Sequence, residues 1–210
     1  MRHWFENQPA TGAKRPRPSR DAMRIVGGSL RGLKLADPGE GDAAAHLRPT
    51  ADRVREAIFN LLINGGIGNP VPGARVLDLF AGTGALGLEA LSRGAARVAF
   101  VDDGAKARAL IRANVERARA MGATDLWRRD ATRLGPNRGA PYGLVFLDPP
   151  YGKGLGERAV ASALEGGWIA PGAVIVWEES QPPVVPAPLI PLDQRRYGDS
   201  IVTLLRQPEA

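Results

Sequence analysis

From residue 73 onward, short apolar runs alternate with stretches whose apolar side chains recur every three or four positions. The runs "ARVLDLF", "RVAFVD", "LVFLD" and "AVIVWEE" are nearly continuous in apolar character. That is the pattern of strands buried on both faces. "DLWRRD" reads as a weaker third strand and "SIVTLLR" as a last one, with "PAPLIPLDQRRY" before it. Three intervening stretches carry helical spacing: "GALGLEALSRG", ending at Gly94; "AKARALIRANVERARAMG", closed by Gly122; and "GERAVASALEGG". The alternation predicts an α/β chain with a mostly parallel sheet, helices on both faces, and ligand sites at the carboxyl ends of the strands.

The first third of the chain follows a different pattern. In "RIVGGSLRGLKL" two apolar runs flank Gly27–Gly28–Ser29, which predicts a β-hairpin. "RPTADRVREAIFNLLING" predicts a helix. Thr50 is placed to cap it after Pro49, and Asp52 sits in the first turn, where the helix dipole favours an anion. Val54, Ile58, Leu61 and Leu62 form its apolar stripe, and Arg48, Arg53 and Arg55 lie at its start. Residues 1–22 are Pro-rich, basic and aperiodic, and read as disordered. The expected division is therefore a basic extension over 1–22, a hairpin and helix over 23–64, and an α/β domain over 65–210.

A chain of 210 residues is long enough for one such domain and a small appendage. No apolar run approaches the roughly 20 residues that cross a bilayer. The polar N-terminus lacks the apolar core of a signal peptide. The chain has no cysteine, which excludes disulfides, thiolate zinc sites and a cysteine nucleophile. His3 and His46 are too far apart in sequence to suggest a histidine metal site. These features fit a cytoplasmic protein without a metal.

The net charge of +6 favours a polyanionic partner. Five bases of the extension (Arg2, Lys14, Arg15, Arg17, Arg20) against two acids (Glu6, Asp21) supply +3 of that total. The excess rests on 24 arginines and 4 lysines amid abundant Ala, Gly and Pro, a bias that a GC-rich coding sequence also produces.

"VLDLFAGTGALGLEA" holds Gly82–Thr83–Gly84–Ala85–Leu86–Gly87, a G-x-G-x-x-G after a strand and before a helix. Such a turn brings backbone N–H groups close to a ligand, but does not itself choose between NAD and S-adenosylmethionine (SAM). The acids around it favour SAM. Asp78, four residues before Gly82, would repel a pyrophosphate and suit an ammonium or sulfonium; it could equally be an acid that fastens the loop. Asp102 ends the second strand, where a ribose-binding acid belongs, and Asp103 competes for that role. Asp130 follows the third strand and can accept from an adenine amino group, or be an exposed loop acid.

"VFLDPPYGKG" supplies the second constellation: Asp148, Pro149, Pro150 and Tyr151 after the fourth strand. An exocyclic amine on a base is a poor nucleophile because its lone pair is delocalised into the ring. Acceptors that hold both N–H hydrogens free that lone pair. Asp148 and the Pro149 carbonyl can do this, the proline rings fix φ so the acceptors stay in place, and the Tyr151 ring can stack on an extruded base. Taken alone, the tetrapeptide could be a turn after a strand; behind a glycine loop and Asp102 it reads as a substrate site.

Together these residues resemble the Asp-Pro-Pro-Tyr class of SAM-dependent amino-methyltransferases. More closely, the chain resembles the bacterial family that methylates guanine N2 in 16S ribosomal RNA. The likeness runs from "MRIVGGSLRGLKL" through "RPTADRVREAIFNLL", "VLDLFAGTGALGLEALSRGA" and "FVD" to "FLDPPYGKGL", and more weakly to residue 206. It implies a Rossmann-like fold with a seven-stranded sheet. It implies SAM contacts at Asp78, Phe80, Ala81, Gly82, Thr83, Gly84, Asp102, Asp130 and Ala131, and substrate chemistry at Asp148–Tyr151. It also implies that the hairpin and the Arg48–Arg55 region, with Arg24, Arg31, Arg48, Arg53 and Arg55, approach RNA or close over the cofactor. The expected partner is 16S rRNA or the small ribosomal subunit, with no metal, no membrane and a monomeric enzyme. Asp102 stands where glutamate is expected in this family, and the extension has no counterpart there.

Other readings use the same residues. A DNA adenine-N6 or cytosine-N4 methyltransferase shares the chemistry, but no segment reads as a target-recognition domain. Release-factor glutamine methylation typically has Asn where Asp148 stands. An NAD-dependent oxidoreductase is disfavoured by Asp78 and by the absence of an obvious hydride-transfer residue; a non-catalytic RNA-binding protein predicts that Asp148→Ala keeps RNA affinity and changes no phenotype linked to methylation.

Overall fold

The computed structural model describes residues 23–36 and 52–209. The basic extension, Arg48 and Thr50 lie outside them. Seven strands form one sheet: β1 (Arg75–Leu79), β2 (Arg97–Val101), β3 (Thr124–Trp127), β4 (Tyr142–Leu147), β5 (Ile169–Glu179), β6 (Ile190–Tyr197) and β7 (Ser200–Arg206). Their order is β3-β2-β1-β4-β5-β7-β6. The first five strands run parallel, and β7 lies antiparallel between β5 and β6. The expected mostly parallel α/β sheet is what forms.

The continuous apolar runs are buried from both sides. Val76, Val98, Phe100, Leu144 and Phe146 face one core, and Leu77, Leu79, Ala99, Val101, Val145 and Leu147 face the other. Helices α2 (Ala85–Ser92) and α3 (Ala105–Arg117) cover the first face, and α4 (Leu155–Glu165) covers the second. Helix α1 (Asp52–Asn64) and the N-terminal residues join the first face. Met23, Ile25, Leu35, Ile58, Phe59 and Leu62 are all part of that core.

Three elements differ from the sequence reading. The hairpin shrinks to a single antiparallel bridge, Arg24 to Lys34. Its glycines serve contact with α2 instead: a Cβ on Gly28 would stand 1.9 Å from the Ser92 carbonyl oxygen. Helix α3 stops at Arg117, short of Gly122. The N–H of Ala120 donates to Val115 and that of Arg119 to Glu116, closing a left-handed cap on Arg119, at φ 53°. Finally, the segment before the last strand is itself a strand, β6, paired with β7 around Gly198.

The order reverses between β1 and β4. From β1 the chain steps outward through α2 and α3 to β3, then returns to lay β4 on the other side of β1. Loops leaving neighbouring strands at such a reversal diverge and open a crevice at their carboxyl ends. The loop after β1 is the glycine turn, and the loop after β4 begins at Asp148.

Candidate active site at the carboxyl edge of the sheet

The register lines up the chemistry. Leu79 pairs with Val101 on one side and Leu147 on the other, and Leu147 pairs with Trp177. One residue further along each strand stand Phe80, Asp102, Asp148 and Glu178. Asp78 lies lower, inside β1.

Asp78 is 2% exposed, and its Oδ2 accepts the N–H of Gly87 at 3.0 Å. Burial drives its pKa up to about 8, against the Gly87 hydrogen bond, and the charge of Asp102 adds to the rise. This carboxyl ties the strand to the first turn of α2. Its hydrogen bond makes it an acid that fastens the loop. Gly87 allows the same approach from the other direction: a Cβ there would lie 2.4 Å from the Phe100 ring.

Asp102 closes the opposite end of the turn. Its Oδ2 accepts from Gly82 N at 2.9 Å and its Oδ1 from Gly104 N at 2.8 Å. Burial raises its pKa, although both backbone bonds oppose the rise. A carboxylate offers about four acceptor positions. Two backbone donors leave room for a diol. Asp103 is exposed, so of the two acids Asp102 is the one built into the loop. Arg108, which the sequence reading missed, braces the segment by donating to the Asp103 and Asp102 carbonyls. Phe80 holds φ 57°, a left-handed conformation uncommon for an aromatic residue, and Thr83 and Ala81 are buried beneath the turn.

Asp130 is exposed and caps the short turn Ala131–Arg133. Its Oδ1 accepts from the Thr132 N–H at 2.8 Å and hydroxyl at 2.7 Å. Burial pulls its pKa upward, but these bonds and the nearby Arg133 and Arg158 outweigh it and leave the pKa lowered. Ala131, the next residue, is buried.

On the β4 side, Asp148 is half-buried, Pro149 buried, and Pro150 and Tyr151 half-buried. The Tyr151 hydroxyl donates to Glu178 Oε1 at 2.7 Å and lies 2.9 Å from Ser200 Oγ. Burial holds this hydroxyl well above its ordinary value; the Ser200 bond works against that, and the charges of Glu178 and Asp148 reinforce it. It therefore stays a donor. Gly152 N donates to Glu179 Oε1 at 3.1 Å. Neither glutamate stood out in the sequence.

The sequence profile described as "Conserved hypothetical protein 95" matches residues 23–206. A relative in Escherichia coli, ribosomal RNA small subunit methyltransferase D, is 40% identical over 169 residues, covering 79% of this chain and 80% of its own. The chain belongs to this family. It is an enzyme of the methyltransferase class. The Haemophilus influenzae protein of the same name is 34% identical over 186 residues, covering 84% of this chain and 89% of its own. Among solved structures, the Escherichia coli protein yhhF superposes with a TM-score of 0.73 at 35% identity, covering 90% of this chain and 99% of that one.

The arginines expected at RNA divide into two groups in this methyltransferase. Arg24, Arg31 and Arg53 are exposed. Arg55 is not: it is fully buried, donates to Asp52 Oδ1 at 2.7 Å and to the Arg24 carbonyl, and lies 3.5 Å from buried Glu89. Glu89 also accepts from Val26 N and Gly27 N, each at 2.8 Å, and pairs with Arg93 at 2.8 Å. Arg55 thus belongs to a network that clamps the hairpin and α1 onto α2, and, being fully buried, it is not part of an RNA-facing surface. No helix of the described residues is long and apolar enough to cross a membrane.

Proposed function

We propose that this enzyme uses SAM to methylate the exocyclic N2 amine of one guanine in ribosomal RNA of the small ribosomal subunit. One observation carries the reading. A glycine turn and an Asp-Pro-Pro-Tyr loop flank the same switch point, in a chain 40% identical to a small-subunit rRNA methyltransferase.

The residues fit the cofactor by their donor and acceptor chemistry. Asp102 would hold the ribose hydroxyls, Asp130 and the Ala131 backbone the adenine edge, and the Phe80–Gly84 turn the amino-acid portion, with Asp78 keeping that turn in shape. SAM, when bound, supplies a methyl group made electrophilic by its sulfonium.

The chain's own contribution is to present the amine. Asp148 and the Pro149 carbonyl accept its two N–H hydrogens, which pyramidalises the nitrogen and frees its lone pair. The proline rings hold those acceptors in place before substrate arrives, and alignment then supplies most of the acceleration. The Tyr151 ring stacks on the extruded guanine, and Asp148 takes the proton the amine releases. Arg24, Arg31, Arg48 and Arg53 neutralise RNA phosphates. The enzyme works as a cytoplasmic monomer without a metal.

Labelled methyl transfer to small-subunit rRNA from a strain lacking the protein, followed by nucleoside mass spectrometry, tests this. N2-methylguanosine at one position is expected; transfer to DNA adenine, or to no nucleic acid, contradicts it.

A further inference from the structure

Glu178 has no part in the reaction as derived, yet its environment is costly for a carboxylate. It is 4% exposed, and its Oε2 has no hydrogen-bond partner among the described residues. Burying a charged group with half of its acceptor capacity empty destabilises a fold. What it does have is Tyr151: its Oε1 accepts the phenol at 2.7 Å, and Ser200 of β7 meets the same hydroxyl at 2.9 Å. Glu178 follows Trp177, which pairs with Leu147, so it stands beside Asp148 on the neighbouring strand. The next residue, Glu179, accepts from Gly152 N.

We propose that Glu178, together with Ser200, is a positioning residue for methyl transfer: it fixes the Tyr151 ring so that the stacking face is set before a base arrives. Glu179 fastens the same loop one residue further on. This rests on the reading of Tyr151 as the stacking residue. A ring tethered at its hydroxyl has lost most of its freedom before binding, so the base meets a prepared surface. The tether needs a protonated phenol, and burial keeps it so.

The test is single-turnover methylation of small-subunit rRNA by the full chain, with SAM affinity measured in parallel by calorimetry. Glu178→Ala is expected to lower the methylation rate about a hundredfold, the scale set by a small misplacement, with SAM affinity unchanged. Glu178→Gln, which still offers the phenol an acceptor, recovers most of that loss. Tyr151→Phe keeps the ring and loses the tether, so it slows the reaction in the same way. The double variant Tyr151→Phe/Glu178→Ala is no slower than Glu178→Ala alone, because one link is removed twice. A Glu178→Ala rate equal to the parent enzyme's, losses that multiply in the double variant, or a parallel loss of SAM affinity overturns the proposal. If circular dichroism shows Glu178→Ala unfolded, Ser200→Ala decides: a slower rate supports the tether and an unchanged rate overturns it. Failure of the parent enzyme to methylate rRNA would strike the substrate reading instead.

Discussion

Asp102 Oδ2 accepts the N–H of Gly82 at 2.9 Å, so the acid that ends β2 also closes the turn that leaves β1. One side chain therefore sets the loop's shape and, in the proposed function, offers acceptors to a ribose. Asp102→Ala removes both roles. SAM affinity by calorimetry is expected to fall at least about tenfold, in line with one lost charge-assisted hydrogen bond of roughly 1.5–3 kcal/mol. Asp103→Ala, at an exposed position beside it, leaves affinity unchanged.

The other end of the turn responds to pH. Burial lifts Asp78 from its ordinary 3.8 to about 8. The folded chain thus holds a proton that the unfolded chain releases near pH 4. The stability this group contributes is fully present below about pH 4 and is lost as pH rises towards 8, with a limiting slope of about 1.4 kcal/mol per pH unit. Asp78→Asn does not titrate. Urea unfolding is expected to show the variant gaining on the parent steadily between pH 4 and 8.

Arg53 and Arg55 separate surface from core within three residues. Arg53→Ala is expected to weaken RNA binding and to flatten its salt dependence by about one unit of slope, with unfolding unchanged. Arg55→Ala removes one of the two cations at buried Glu89 and the donors to Asp52 and the Arg24 carbonyl, and is expected to destabilise the fold by about 1–3 kcal/mol. Filter binding across salt concentrations and urea denaturation check the two halves.

The strands and the edge they define were legible because burial on both faces forces continuous apolar runs, and a strand's carboxyl end is visible where the run meets an acid. Asp102 and Asp148 were found that way. Asp78 reads as a strand-end acid, yet it lies one position inside β1 and is buried, because α2 packs close against it. Arg55 looked like its exposed neighbour Arg53, since helical spacing does not reveal that Glu89 waits across the interface. Glu178 and Glu179 were hidden in "AVIVWEE", where only the β4–β5 register shows that they meet the Asp148 loop. Strand β6 alternates too weakly to announce itself, being an edge strand largely open to solvent.

Helix α3 ended early for a local reason. Arg119 takes the left-handed cap position that glycine usually fills, while the nearby Gly122, which attracted the assignment, lies in the turn that follows. Arg119→Gly is expected to raise stability by roughly 0.5–1 kcal/mol by relieving that strain, a shift measurable in the urea midpoint.

The most direct test of the account is single-turnover methyl transfer by Asp148→Ala to small-subunit rRNA, with SAM affinity measured on the same preparation. If Asp148 grips the target amine, the rate falls by about a hundredfold to a thousandfold while SAM binds as tightly as to the parent enzyme. Transfer at the parent rate, or a loss of SAM affinity large enough to account for the slower rate, would contradict it.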